Sequence, residues 1–163
     1  MPVQEFTITS NSEGETGCIA AAIARFLRPG DALMLKGGLA GGKTTFVKAL
    51  VRATGSDADV TSPTFTLAHF YKTPIGTVLH VDAYRLSSLA EFRDLGLDEY
   101  IGDCITAVEW GDRVERDFPE HLSIDFESVA SVDTTRKVTI GGLGHRWIAM
   151  LDDLQQQVKK CVE

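Results

Sequence analysis

Gly37, four intervening residues, Gly42, Lys43 and Thr44 together spell G-x-x-x-x-G-K-[ST]. Each residue type has a task if the segment holds a polyphosphate. Glycines let the backbone take positive φ and approach a ligand closely. The N–H groups of residues 38–44 then point inward at phosphate oxygens, and the start of a following helix adds its positive dipole end. Lys43 is expected to reach the β- and γ-phosphates, and the Thr44 hydroxyl to bind Mg²⁺. The expected nucleotide cradle runs through Gly37, Gly38, Leu39, Ala40, Gly41, Gly42, Lys43 and Thr44. The bland alternative is a glycine turn that holds nothing; an apolar strand before it and a helix after it weigh against that.

Such a site needs a carboxylate at the end of a neighbouring strand to complete a metal shell. Asp82 closes the apolar run "VLHVD", and Glu109 closes "ITAVE". Parallel strands deliver their C-terminal ends to one rim, where ligands bind in open α/β sheets. Asp82 and Glu109 are therefore expected to touch the metal, directly or through water, or to orient an attacking water. The competing readings are a turn partner for Asp82 and an ion pair with Arg113 for Glu109. Trp110 either stacks on a base or partner at that rim, or packs in the core with a wet edge. "TSPTFT" (61–66) has the make-up of a switch that orders on the γ-phosphate, or simply of a strand entrance. Arg85 either neutralises phosphate charge or pairs with Glu91 or Asp94. His80 is expected to be a packed or edge residue rather than a ligand.

The elements that must position these groups follow from periodicity. Residues 3–9 alternate as a strand. Ser12 and Glu15 stand at capping-box spacing before Ile19, Ala22, Ile23, Phe26 and Leu27, which predicts an amphipathic helix over 13–28. Residues 32–37 are a short apolar run suited to a buried strand. Residues 43–55 read as a helix closed by Gly55. Pro63 keeps Ser62 extended. Strands are expected at 65–72, 77–84 and 104–110, with a serine-capped helix at 87–97 between the last two. Residues 121–127 and 136–142 read as antiparallel edge strands, and 145–163 as a terminal helix with Lys159 and Lys160 at its end. Strands alternating with helices imply one α/β sandwich, residues 1–163, on a mixed sheet.

Composition narrows the class. The 163 residues, 44% hydrophobic and 24% charged, suit a globular chain with a real core. The net charge of -7 offers no basic footprint for nucleic acid, so a role there is expected to be indirect, through a partner. Cys18, Cys104 and Cys161 are odd in number and widely spaced, which argues against a disulfide framework or zinc site and for free thiols in a reducing cytosol. No leader and no apolar run near the roughly 20 residues of a membrane span are visible.

Taken in order, "GGLAGGKTTF", "TSPTFT", "HVDAYRL" and "VEW" resemble the bacterial TsaE family over about residues 5–127. The resemblance implies a P-loop NTPase-like three-layer sandwich with a mixed, mainly parallel sheet and antiparallel edge strands. It implies ATP and Mg²⁺ as ligands, slow ATP hydrolysis, and a cytoplasmic protein. It also implies TsaD- and TsaB-like partners that install threonylcarbamoyl on adenosine 37 of ANN-decoding tRNAs. By motif match, Lys43 and Thr44 take the phosphate and metal roles. Asp82 is the acid of the family's H-x-D-x-Y-R-L motif, Glu109 the metal-proximal acid, and Trp110 the family's tryptophan. Thr45 and Thr64 are weaker matches. The family's loop usually reads G-D-L-G-A-G-K-T; here Gly38 replaces the acid and Ala40-Gly41 stands where Gly-Ala is usual. Two rivals share the loop: a small-molecule kinase, for which residues 111–145 lack an arginine-bearing lid, and a nucleotide-gated interaction module with a vestigial ATPase. No N-K-x-D motif reads guanine.

Overall fold

The computed structural model describes residues 3–38, 42–61, 68–86, 89–129 and 132–163. Its strands are β1 (Val3–Ser10), β2 (Ala32–Gly37), β3 (Ala68–Thr73), β4 (Gly76–Asp82), β5 (Cys104–Glu109), β6 (His121–Val129) and β7 (Val132–Leu143). Its helices are α1 (Glu13–Ala24), α2 (Lys43–Ala53), α3 (Leu89–Asp94), α4 (Asp98–Ile101) and α5 (His145–Lys159). The strands form one seven-stranded sheet in the order β1-β7-β6-β2-β5-β4-β3. β6, β2, β5 and β4 run parallel, while both sheet edges, β1 and β3, pair antiparallel with their neighbours. The P-loop NTPase-like mixed sandwich expected from the sequence is the one observed.

Side-chain alternation along the central strands builds the layers. Leu33, Leu35, Ile105, Ala107, Leu122 and Ile124 face α1, α2 and α5. Met34, Leu79, Val81 and Val108 face the other way, onto Leu86, Phe92 and Leu97 around α3. β2 is buried on both faces, as its uninterrupted apolar run requires.

The ends of elements report local chemistry. Ser12 Oγ accepts the Glu15 N–H at 3.0 Å, and Glu15 Oε2 accepts the Asn11 N–H at 3.2 Å, so the capping box reaches back one residue further than its standard form. α1 stops at Ala24 rather than 28, where the Phe26 and Leu27 N–H groups bond the Ile23 and Ala24 carbonyls three residues back and tighten the last turn. At the end of α2, Gly55 N–H bonds the Arg52 carbonyl and Ser56 N–H the Val51 carbonyl, the paired closure expected of a Gly55 stop. β4 ends at Asp82 rather than 84, because the Asp82 carboxylate accepts the Tyr84 N–H at 2.9 Å and turns the chain. The helix expected over 87–97 is the shorter α3, its serine cap at Ser87 and Ser88 lies outside the described residues, and α4 follows beyond that range.

Two expectations are corrected. Residues 121–127 and 136–142 lie inside the sheet, not at its edge: β6 sits between β7 and β2, and β7 between β1 and β6. Their alternation reflects a face only partly covered by helices, which a one-chain pattern cannot tell from an edge. The thiols are likewise not all free. Cys18 and Cys161 form a disulfide with Cα atoms 5.6 Å apart, and Cys104 is a buried free thiol. Separation along the chain is no guide here, because α1 and α5 pack side by side. The start of α5 is tied down as well: Arg146 donates to both Asp31 carboxylate oxygens, at 2.8 and 2.7 Å, and to the Phe26 carbonyl at 2.7 Å. Among the described residues no helix is long and apolar enough to cross a membrane.

Linking residues so far apart constrains the unfolded chain. Replacing Cys18 and Cys161 with serine, or reducing the wild type with a dithiol, is expected to lower the unfolding free energy by about 2–4 kcal/mol in urea titrations. An unchanged urea midpoint would show that packing alone holds α5 on α1.

Candidate functional site

The site grows from the C-terminal ends of β2, β4 and β5. Gly37, the last residue of β2, has φ +130°, and Gly42, which caps α2, has φ +100°. A Cβ on Gly37 would collide with the Phe126 carbonyl oxygen of β6, so both the backbone angle and the close approach demand glycine there. Gly38 has open space around it. Leu39, Ala40 and Gly41 lie outside the described residues, as do Thr64 and the rest of 62–67. α2 begins at Lys43, with Gly42 at its cap, so the N–H groups of its first turn have no partner within the helix.

Lys43 is buried, and its side chain folds back onto the end of β2. Its ammonium donates to the Gly37 carbonyl at 2.8 Å and the Gly38 carbonyl at 2.7 Å, and lies 4.2 Å from the centre of the Trp110 ring. Burial pulls its pKa below the ordinary lysine value. Glu109, Asp82, Asp112 and Asp125 pull the other way, Glu109 most strongly. A polyphosphate arriving here would add negative charge beside an ammonium short of it.

Thr44 Oγ donates to both Glu109 carboxylate oxygens, at 3.1 and 3.2 Å. Glu109 is also the partner of His80: Nε2 stands 2.5 Å from Oε2. Parallel pairing of β4 and β5 sets Asp82 opposite Glu109, and the Glu109 carbonyl accepts the Ala83 N–H at 2.9 Å. Asp82 and Glu109 are both buried. The rim thus collects a cation, a hydroxyl and two carboxylates, all but Lys43 hard oxygen donors of the kind Mg²⁺ takes.

Each candidate can now be placed. Lys43, Thr44, Asp82 and Glu109 converge. The ion pair weighed for Glu109 does not form; Arg113 instead donates to the Leu86 carbonyl at 3.1 Å and lies over the Tyr84 ring. Asp82 makes the turn contact weighed for it while also standing at the rim. Thr45 follows Thr44 in α2 and is half-buried. Arg85 is exposed. Trp110 has φ 60° and ψ 39°, a left-handed conformation unusual for so large a residue. It is held there by its surroundings. Gly111 packs so close to Met34 that a Cβ would come within 2.8 Å of the Met34 backbone. The Trp110 ring sits between Lys43 and Tyr84, with 5.0 Å between the two ring centres. Trp110, Gly37 and Gly38 also border an open cavity of about 400 Å³ completed by Lys36, Asp112 and Asp125.

The residue that sequence reasoning undervalued is His80. It is completely buried and bonds the central carboxylate. One signal was available: His80 and Asp82 are two apart on a strand and so share a face.

Comparisons with known proteins show what the chain is similar to. Residues 10–138 match the family model described as "Threonylcarbamoyl adenosine biosynthesis protein TsaE". A Bacillus subtilis protein named tRNA threonylcarbamoyladenosine biosynthesis protein TsaE is 38% identical over 150 residues, covering 91% of this chain and 92% of that one. A Streptomyces coelicolor protein of the same name is 42% identical over 132 residues, 77% of this chain and 88% of that one. The crystal structure of YdiB from Bacillus subtilis superposes with a TM-score of 0.81 at 30% identity, covering 96% and 97% of the two chains.

The two described glycines of the turn make opposite predictions. Gly37→Ala is expected to destabilise the protein by about 1–3 kcal/mol, read from its thermal midpoint. Gly38→Ala is expected to shift stability by no more than about 0.5 kcal/mol. Equal thermal midpoints for the two variants would show that the turn tolerates a side chain at either place.

Proposed function

The chain belongs to the TsaE family of threonylcarbamoyl adenosine biosynthesis proteins, and on that premise we propose that it binds Mg·ATP at the 37–44 turn and hydrolyses it slowly. The observation that carries the reading is the convergence of the Gly37 and Gly42 turn, Lys43, Thr44 and Glu109 at the rim where parallel strands end. In this reading the first-turn amides of α2 and the Lys43 ammonium take the phosphates. Lys43 exchanges its bonds to the Gly37 and Gly38 carbonyls for bonds to phosphate oxygens. Thr44, Glu109 and Asp82 would hold Mg²⁺, directly or through water. The ion, when bound, supplies charge neutralisation at the polyphosphate. Glu109 or Asp82 accepts a hydrogen bond from the attacking water and so orients it.

The hydrolysis serves tRNA N6-threonylcarbamoyladenosine formation at adenosine 37, with TsaD- and TsaB-like proteins as partners in the cytoplasm. The chain meets tRNA through those partners, which suits its net charge of -7. ATP turnover resets the complex rather than supplying its chemistry, so the intrinsic rate is low and rises when the partners are added.

Phosphate release from Mg·ATP with the partners present tests this. Wild type is expected to exceed Lys43→Ala by about 100-fold or more; equal rates would leave a nucleotide-gated interaction module in its place, and chelating the magnesium is expected to stop turnover. Asp82→Ala is expected to keep ATP affinity within about tenfold and lose turnover. If its turnover is unchanged, the role of Asp82 is structural.

A further inference from the structure

We propose that His80 is a positioning residue: its Nε2–H holds the Glu109 carboxylate toward Thr44 and away from Lys43. The pairing of β4 with β5 sets His80 beside Ala107 and Asp82 beside Glu109, so His80 reaches the carboxylate from two residue pairs below the rim. Glu109 is then pinned from two elements. Oε2 lies 2.5 Å from His80 Nε2 on β4, and the Thr44 hydroxyl on α2 donates to both oxygens.

The tautomer follows from the donors and acceptors. A carboxylate oxygen has no hydrogen to give, so the proton of this contact belongs to Nε2. Among the described residues, His80 Nδ1 has no hydrogen-bond partner although the side chain is fully buried. An apolar side chain would fill that space without leaving a buried polar atom unmatched. The imbalance is accounted for when the other ring nitrogen has a task.

The task is set by the competing contact. Glu109 is the strongest of the four carboxylate influences on Lys43. A glutamate free to rotate about its side-chain bonds would be drawn onto that ammonium. An ion pair there would remove both the cation that meets the phosphates and the acid that stands by Thr44. The observed Lys43 instead bonds the Gly37 and Gly38 carbonyls, and Glu109 bonds His80 and Thr44. A nitrogen donor behind an acidic ligand that fixes its orientation is a recurrent feature of metal sites.

The kinetic consequences rest on the ATP-hydrolysis reading; the proton assignment does not. In partner-activated turnover, His80→Leu is expected to lower kcat by about 10- to 100-fold with KM changed by less than about threefold. His80→Gln, whose amide nitrogen reaches a similar place, is expected to restore most of the loss. On a Glu109→Gln background, His80→Leu is expected to cost nothing further. Unchanged kcat in His80→Leu, or a full additional loss on the Glu109→Gln background, would overturn the proposal. A second measurement needs neither nucleotide nor turnover. Long-range proton–nitrogen NMR of the free protein is expected to show His80 protonated on Nε2, with a resonance that moves in Glu109→Gln. A proton on Nδ1 alone, or no change in that variant, would overturn the assignment even if His80→Leu does not fold. Wild-type turnover no higher than that of Lys43→Ala would count against ATP hydrolysis, and the NMR result would still decide the role of His80.

Discussion

The parallel pairing of β2, β5 and β4 is the constraint on which the rest of the site depends. It brings the carboxyl ends of three strands, separated by whole helices in the chain, to one rim. Gly37 ends one strand, Glu109 another and Asp82 the third. In a parallel ladder the register moves all side chains together, so a slip of one residue would turn Glu109 and Asp82 to the opposite face. The two-sided core makes such a slip costly: Leu33, Leu35, Ile105 and Ala107 bury against one layer of helices, Met34 and Val108 against the other.

Around that rim, a few charged groups have been placed so that they do not neutralise each other. Lys43 and Glu109 are both buried and near enough to influence one another, yet each bonds to something else. Lys43 is occupied by two backbone carbonyls and the face of Trp110; Glu109 is occupied by Thr44 and His80. Buried charges separated in this way keep their bonding capacity for a ligand, whereas a closed ion pair would spend it internally. The left-handed backbone at Trp110 belongs to the same arrangement, since it turns the indole over the lysine at the point where β5 ends. Strain of this kind persists only where the surroundings over-determine it, and here the Trp110 ring packs between Lys43 and Tyr84.

On the opposite end of the helical layer, α5 is fastened twice to α1 and its following turn. The Arg146–Asp31 pair fixes the start of α5, and the Cys18–Cys161 bond fixes its end. α1 packs in turn on α2, the helix that carries Lys43 and Thr44. The C-terminal segment therefore supports the helix that carries Lys43 and Thr44 through one intervening helix, without contributing a side chain to the rim.

Local chemistry was readable in the order of residues. The glycine-lysine-threonine turn, the strand before it and the helix after it, the Ser12 cap, the Gly55 stop, and acids closing two apolar runs all depend on neighbours along the chain, whose preferences are short-ranged. What could not be read there was anything that depends on contacts between distant segments. The interior position of β6 and β7, the disulfide across the α1–α5 seam, the choice of His80 rather than Arg113 as the partner of Glu109, and the lysine lying on Trp110 all arise from pairing and packing. Alternation and spacing say which face a side chain takes, but only the folded sheet says what waits on the other side of it.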